Sequence, residues 1–197
     1  SLPLQLDSSN TQALEKAMRM YNGKAMINSV NGKQSSMSEV FPLVQKYGGG
    51  VVCLCLDESG IPETAQGRID IAKKIIKTAE SYGIDKKDLV VDALVMTIST
   101  NKDNAKETLK AVDYIRHELG VGTVLGVTNI SFGLPKREAI NTAFFTLALK
   151  AGLSAGIINP LSESMMNAYY SYNALEGFDD NCTQYIESVT ASANTAT

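Results

Sequence analysis

Six carboxylate or amide side chains stand at or just beyond the ends of short apolar runs: Asp7, Asn28, Asp57, Asp92, Asn129 and Asn159. A carboxylate accepts two parallel N–H bonds from an amino-pyrimidinone edge, and a carboxamide offers a donor and an acceptor to ring nitrogens and carbonyls. A ring of such groups can therefore grip a fused heterocycle such as a pterin. Taken singly, each can equally cap the helix that follows it. Six at the same place in successive units strain that reading.

Other chemistry is thinly represented. The single histidine, His117, sits late in a helical stretch beside Arg116 and Glu118, where a positive charge suits the helix dipole. Cys53 and Cys55 fall on one face of a strand, yet zinc wants three or four ligands and no further Cys or His lies near them in sequence. They read as buried barrel lining, and no metal site is expected. Cys182 has no visible partner. Gly120-Val121-Gly122 precedes a strand instead of following one, so it reads as a helix C-cap and not as a dinucleotide loop.

The elements that must position these groups alternate regularly. Candidate strands are Pro3–Leu6, Ala25–Asn28, Val51–Leu56, Leu89–Asp92, Thr123–Val127 and Ala155–Ile158. Helical periodicity follows each, over Thr11–Tyr21, Ser36–Tyr47, Thr64–Tyr82, Lys102–Leu119, Lys136–Ala151 and Glu163–Glu176. In the third helix Ile69, Ile71, Ala72, Ile75, Ile76 and Ala79 make an apolar stripe, with Arg68, Asp70, Lys73, Lys74 and Lys77 mostly on the other side. Met165, Met166, Tyr169, Tyr170 and Tyr172 repeat with helical spacing and read as core or as an interdomain face.

Strand–helix alternation with short connections means parallel strands with right-handed crossovers, in an open doubly wound sheet or a (β/α)8 barrel. Polar groups at six strand ends favour the barrel, which collects its site from several strands at once. The expected class is α/β, a (β/α)8 TIM-barrel family member truncated at its N-terminus to about six units. Residues 1–186 form the barrel domain, and 187–197 are expected to be a disordered tail or linker stub. The abrupt start at Ser1-Leu2-Pro3-Leu4, close to a strand, reads as a cut beginning.

The 197 residues carry 18 Lys plus Arg against 21 Asp plus Glu, and 44% are apolar, a composition that excludes disorder and a membrane protein. Mild acidity without basic runs argues against nucleic acid or a membrane surface as partner. Three cysteines make no disulfide framework and no leader opens the chain, so a reducing, cytoplasmic setting is expected.

Leu6-Asp7-Ser8-Ser9-Asn10, Ile27-Asn28-Ser29-Val30-Asn31-Gly32, Val91-Asp92-Ala93-Leu94 and Gly126-Val127-Thr128-Asn129-Ile130-Ser131 occur in the order seen in pterin-binding methyltransferases. Leu56-Asp57-Glu58-Ser59-Gly60-Ile61-Pro62 and Ser131-Phe132-Gly133-Leu134-Pro135 agree as well. Over about residues 1–186 the chain resembles the methyltetrahydrofolate-binding domain of cobalamin-dependent methionine synthase and the methyltetrahydrofolate:corrinoid methyltransferases.

The resemblance implies that the N5-methyl group of methyltetrahydrofolate passes to the Co(I) of a cobalamin carried by another domain or protein. It makes Asp7, Asn28 and Asp92 pterin ligands, with Asp92 gripping the amino-pyrimidinone edge. It places Asn129 at N5, where a carbonyl can accept from the protonated nitrogen and stabilise charge in the transition state. Gly126 and Ser131 flank Asn129 and are also taken as pterin contacts. Asp57 and Glu58 line the rim where the corrinoid approaches, or cap the next helix; both readings stand. Asn31 and Asn159 rank below the others.

Dihydropteroate synthase, which shares the barrel and the pterin grip, is the alternative enzyme. That family carries Ser-Arg-Lys after the Gly-Val of its seventh strand, where this chain has Thr128-Asn129, and an Arg-containing motif where this chain has Asn159-Pro160. A third reading is an inactive barrel fragment, since relative to the family two strand–helix units are missing. An unclosed sheet exposes two edges, so a homodimer formed through them is expected.

Overall fold

The computed structural model describes residues 2–194. Six strands, β1 (Gln5–Asp7), β2 (Met26–Asn31), β3 (Gly50–Leu54), β4 (Leu89–Asp92), β5 (Gly122–Gly126) and β6 (Ala155–Ile157), form one parallel sheet in the order of the chain. Helices α1 (Thr11–Met20), α2 (Gln34–Tyr47), α3 (Ala65–Ser81), α4 (Asn104–His117), α5 (Arg137–Lys150) and α6 (Glu163–Leu175) follow the strands in turn. A doubly wound sheet reverses its strand order at a switch point. This one never does, so the architecture is that of consecutive βα units of a TIM barrel, a half-barrel with β1 and β6 at its edges.

Local chemistry sets the element ends. Asn10 Oδ1 accepts from Ala13 N (3.0 Å) to open α1, and Thr64 Oγ1 accepts from Gly67 N (3.2 Å) to open α3. The core lies between sheet and helices: Ile27, Val51, Val91 and Leu125 pack in one cluster with Phe41, Ile75, Ile115 and Phe145. Each such fully buried side chain contributes about 1.5–3 kcal/mol.

Three expectations are corrected. Cys53 and Cys55 are buried but do not line the barrel interior: Cys53 registers with Val30 and Val91, and both cysteines join the helix-side cluster. Arg68 is not on the solvent face of α3 but is 0% exposed. The segment expected to be a tail from residue 187 instead continues a helix, α7 (Thr183–Asn194), whose start is held by Asp179: Oδ1 accepts from Gln184 N and Oδ2 from Tyr185 N, both at 3.0 Å. Residues 195–197 of that stretch lie outside the described residues. Among the described residues no helix is long and apolar enough to cross a membrane.

Candidate functional site

Strand register decides which polar groups share a face, because paired residues in a sheet point to the same side. Asp7 pairs with Asn28, and Asn28 with Val52. The register then shifts between Asn28 and Val30, so that Asn31 pairs with Leu54. In an unbroken strand residues three apart point to opposite faces; the bulge at Ser29 brings Asn28 and Asn31 to the same one. Leu54 pairs with Asp92 and Asp92 with Val124, two residues before Gly126. Asp7, Asn28, Asn31, Asp92 and Gly126 thus stand on the sheet face turned away from the helices.

Hydrogen bonding divides the predicted residues sharply. Asn31 Oδ1 accepts from Lys33 N (3.0 Å), Asp57 Oδ1 from Ser59 N (2.8 Å) and Asn159 Oδ1 from Leu161 N (3.0 Å), each a local Asx turn. The side chains of Asp7, Asn28 and Asn129 accept and donate nothing among the described residues, and helix capping falls to Asn10 and not to Asp7. A polar side chain held at a strand end without a partner of its own is free for a ligand. Asp7 and Asn28 line a polar depression of about 350 Å³ with Ser8, Asn31, Lys33 and Glu39. That volume lies within the range of small-molecule sites. Asp92 and Asn129 lie outside this depression, further round the same curved sheet.

Asp92 is the most perturbed of the group. It is 8% exposed, and desolvation pushes its carboxyl up to about 6 against the opposing effects of Leu94 N–H and Arg68. Its Oδ1 accepts from Leu94 N at 2.8 Å, with Leu94 at a φ of 62°. Its Oδ2 has no donor among the described residues. A buried carboxylate with one oxygen unengaged gains strongly from two N–H donors of a heterocycle.

Asn129 rides on a 3-10 turn, Val127–Ser131, directly after β5. A Cβ at Gly126 would lie 3.0 Å from Asn129 Nδ2, so the missing side chain is what leaves this amide its place. Ser131 is not on the interior face. It is 0% exposed, donates to Asn141 Oδ1 (2.7 Å) and accepts from Arg137 Nε (3.0 Å). Its hydroxyl supports the turn and is not offered to a ligand.

Asp57 lies in a different depression, with Ile61, Pro62 and Lys74. It caps no helix, since Thr64 does that for α3, while Glu58 Oε1 accepts from Gln34 N (3.3 Å) at the start of α2. Neither Arg137 nor Arg68 is expected at the site from sequence, yet both brace it. Arg137 Nη2 donates to Thr128 O (2.8 Å) and its guanidinium lies 4.5 Å from the Phe132 ring centroid, bracing the Asn129 turn. Arg68 stands four, seven and eleven residues before Ala72, Ile75 and Ala79, on the apolar stripe itself, and that spacing was the signal available for it. The buried thiols of Cys53 and Cys55 are both pushed up by desolvation, which leaves neither as a thiolate at neutral pH.

Residues 1–159 match the family model described as pterin binding enzyme. The chain belongs to the pterin-binding enzyme family. Within that family it is 34% identical over 181 residues to a methionine synthase of Mycobacterium tuberculosis, a match covering 85% of this chain and 15% of that protein. It is 28% identical over 188 residues to the methylcorrinoid:tetrahydrofolate methyltransferase of Eubacterium limosum, covering 93% of this chain and 69% of that one. The fold matches that of Xanthomonas albilineans dihydropteroate synthase with a TM-score of 0.71 and 20% identity, over 89% of this chain and 68% of the other. The pterin-binding family match spans β1 to β6 and so includes every unbonded polar group described above.

Proposed function

We propose that this chain is the pterin-binding half of a methyltransferase barrel that takes the N5-methyl group of methyltetrahydrofolate to a cobalamin carried by another domain or protein. The observation that carries this is the set of Asp7, Asn28 and Asn129, unpartnered on or just beyond β1, β2 and β5, beside a desolvated Asp92 with one oxygen unengaged. Asp92 takes two N–H groups of the amino-pyrimidinone edge, while Asp7 and Asn28 bond the remaining ring heteroatoms.

In the reaction N5 takes a proton from solvent, the N5–CH3 bond breaks, and its electron pair stays on N5, leaving N5–H in the product. The corrinoid, when present, supplies a Co(I) nucleophile for the methyl carbon. What this chain contributes is orientation and charge stabilisation. Asn129, held in place by Gly126, directs its carbonyl at a protonated N5 without acting as a strong base. Asp7 is exposed at the end of β1, so the pterin site is reachable by a large acceptor. Asp57, on the rim, faces that acceptor. The cytoplasm, where methyl donor and reduced corrinoid both occur, is the setting, residues 1–186 act as the functional unit, and the free edges of β1 and β6 are where a second copy pairs.

The test is methyl transfer from methyltetrahydrofolate to Co(I) cobalamin, followed by the absorbance change of the corrinoid. The chain is expected to catalyse it, and Asn129→Ala to lower the rate about 100-fold or more while substrate still binds. A folded chain with no activity and no pterin binding would contradict the proposal and leave the inactive-fragment reading.

A further inference from the structure

Arg68 buries a full charge beneath the sheet, where an apolar residue would pack without the desolvation penalty. Its guanidinium is spent on one place. Nη1 donates to Ala93 O (3.2 Å), Leu94 O (3.0 Å) and Thr108 Oγ1 (2.6 Å), and Nε to Pro62 O (2.9 Å). Nη2 is buried with no hydrogen-bond partner, so the residue is held at a cost that packing does not explain.

The two carbonyls belong to the residues directly after Asp92. Leu94, with its left-handed backbone, is the residue whose N–H reaches Asp92 Oδ1. The bonds also run onward: Thr108 Oγ1 to Asn104 O (2.9 Å), Asn104 Nδ2 to Thr97 O (2.8 Å) and Thr97 Oγ1 to Phe132 O (2.7 Å). Ile98 N donates to Ile130 O (3.0 Å), next to Asn129. The network therefore joins the turn that presents Asp92 to the turn that presents Asn129.

We propose that Arg68 is a positioning residue of the pterin site: it pins the Ala93 and Leu94 carbonyls so that Leu94 N–H stays on Asp92, and through Thr108, Asn104 and Thr97 it fixes Asp92 relative to Asn129. This rests on the pterin reading of the site. Its charge also favours the ionised form of Asp92. The titratable and charged groups around Asp92 are Arg68 from α3 and Cys55 beyond β3, with Glu107 of α4 acting on Arg68.

The experiment follows the Asp92 carboxyl by carbon NMR across pH in the ligand-free chain, and separately measures methyltetrahydrofolate affinity, for wild type, Arg68→Met and Arg68→Lys. In Arg68→Met the Asp92 midpoint is expected to rise by about one unit or more, because a neighbouring positive charge is gone. In Arg68→Lys the charge remains and the midpoint stays near wild type, while affinity falls about tenfold or more because an ammonium cannot hold the same set of acceptors. A folded Arg68→Met with an unmoved midpoint overturns the proposal. Should that variant not fold, Arg68→Lys with wild-type affinity overturns it. If wild type binds no methyltetrahydrofolate, the pterin reading fails by itself, and the ligand-free titration of Arg68→Met, or of the equally uncharged Arg68→Gln if the Met variant is unfolded, still decides whether Arg68 governs Asp92.

Discussion

A methyl group placed on Gly126 would lie 3.0 Å from the Asn129 side-chain nitrogen, so the position of the amide depends on the absence of a side chain one turn earlier. Gly126 has a φ of −73°, which any residue adopts, so space and not backbone freedom is what the glycine supplies. Gly126→Ala is therefore expected to leave stability unchanged or raise it by about 0.4–1 kcal/mol. Methyl transfer should fall about tenfold as the amide is displaced. Thermal melts and turnover on the same preparation check both halves.

Asp92 should lower stability at neutral pH. Its carboxyl titrates at about 6 in the folded chain against 3.8 for the free group. The stability associated with it is fully present below pH 3.8 and is lost as pH rises through 6, by about 3 kcal/mol at most. Asp92→Asn keeps an oxygen for Leu94 N–H and carries no charge. It is expected to be the more stable protein at pH 7.5, to lose that advantage near pH 4, and to bind methyltetrahydrofolate at least about 100-fold more weakly. Urea unfolding at the two pH values and calorimetry measure this.

Ser131 offers a test of the difference between holding a turn and touching a ligand. Removing its hydroxyl leaves Asn141 Oδ1 and Arg137 Nε without their partner. Ser131→Ala is expected to destabilise the fold by about 1–3 kcal/mol. Pterin affinity at saturating stability, well below the melting temperature, should change much less than in Asp92→Asn.

Gly32 packs where the β2 and β3 loops meet: a Cβ there would stand 2.7 Å from Ile71 Cγ2 and 2.9 Å from Leu56 O. Because one of these is backbone, the loops must part. Gly32→Ala should cost about 1–3 kcal/mol, read from denaturant midpoints.

Most of this architecture was legible because each unit states its own period. Thr64 opens α3 where the apolar stripe begins, and Asp7 and Asp92 end strands within a residue of where the apolar runs stop, whereas Asn28, expected at a strand end, lies inside β2, which runs on to Asn31 past the bulge. What stayed hidden was set by tertiary partners. Arg68 looks like solvent-face charge until the carbonyls of Ala93 and Leu94, distant in sequence, are seen to surround it. Ser131 looks like a ligand because it flanks Asn129, yet Asn141 and Arg137 from the next helix claim it. Thr183–Asn194 lacks a clear stripe, and its helix rests on α6 and on the two backbone bonds to Asp179. The split between Asp7, Asn28 and Asn129 on one side and Asn31, Asp57 and Asn159 on the other needed hydrogen bonds, since residue type alone is the same in both groups.

That split is the central claim, and calorimetric titration with methyltetrahydrofolate tests it most directly, using wild type, Asp7→Ala, Asn28→Ala, Asp92→Asn, Asp57→Ala and Asn159→Ala, each shown to be folded by circular dichroism. Saturable binding by wild type is predicted, weakened at least about tenfold in the first three variants and within about twofold of wild type in the last two. A folded wild type that does not bind, or binding indifferent to Asp7, Asn28 and Asp92, would contradict the account.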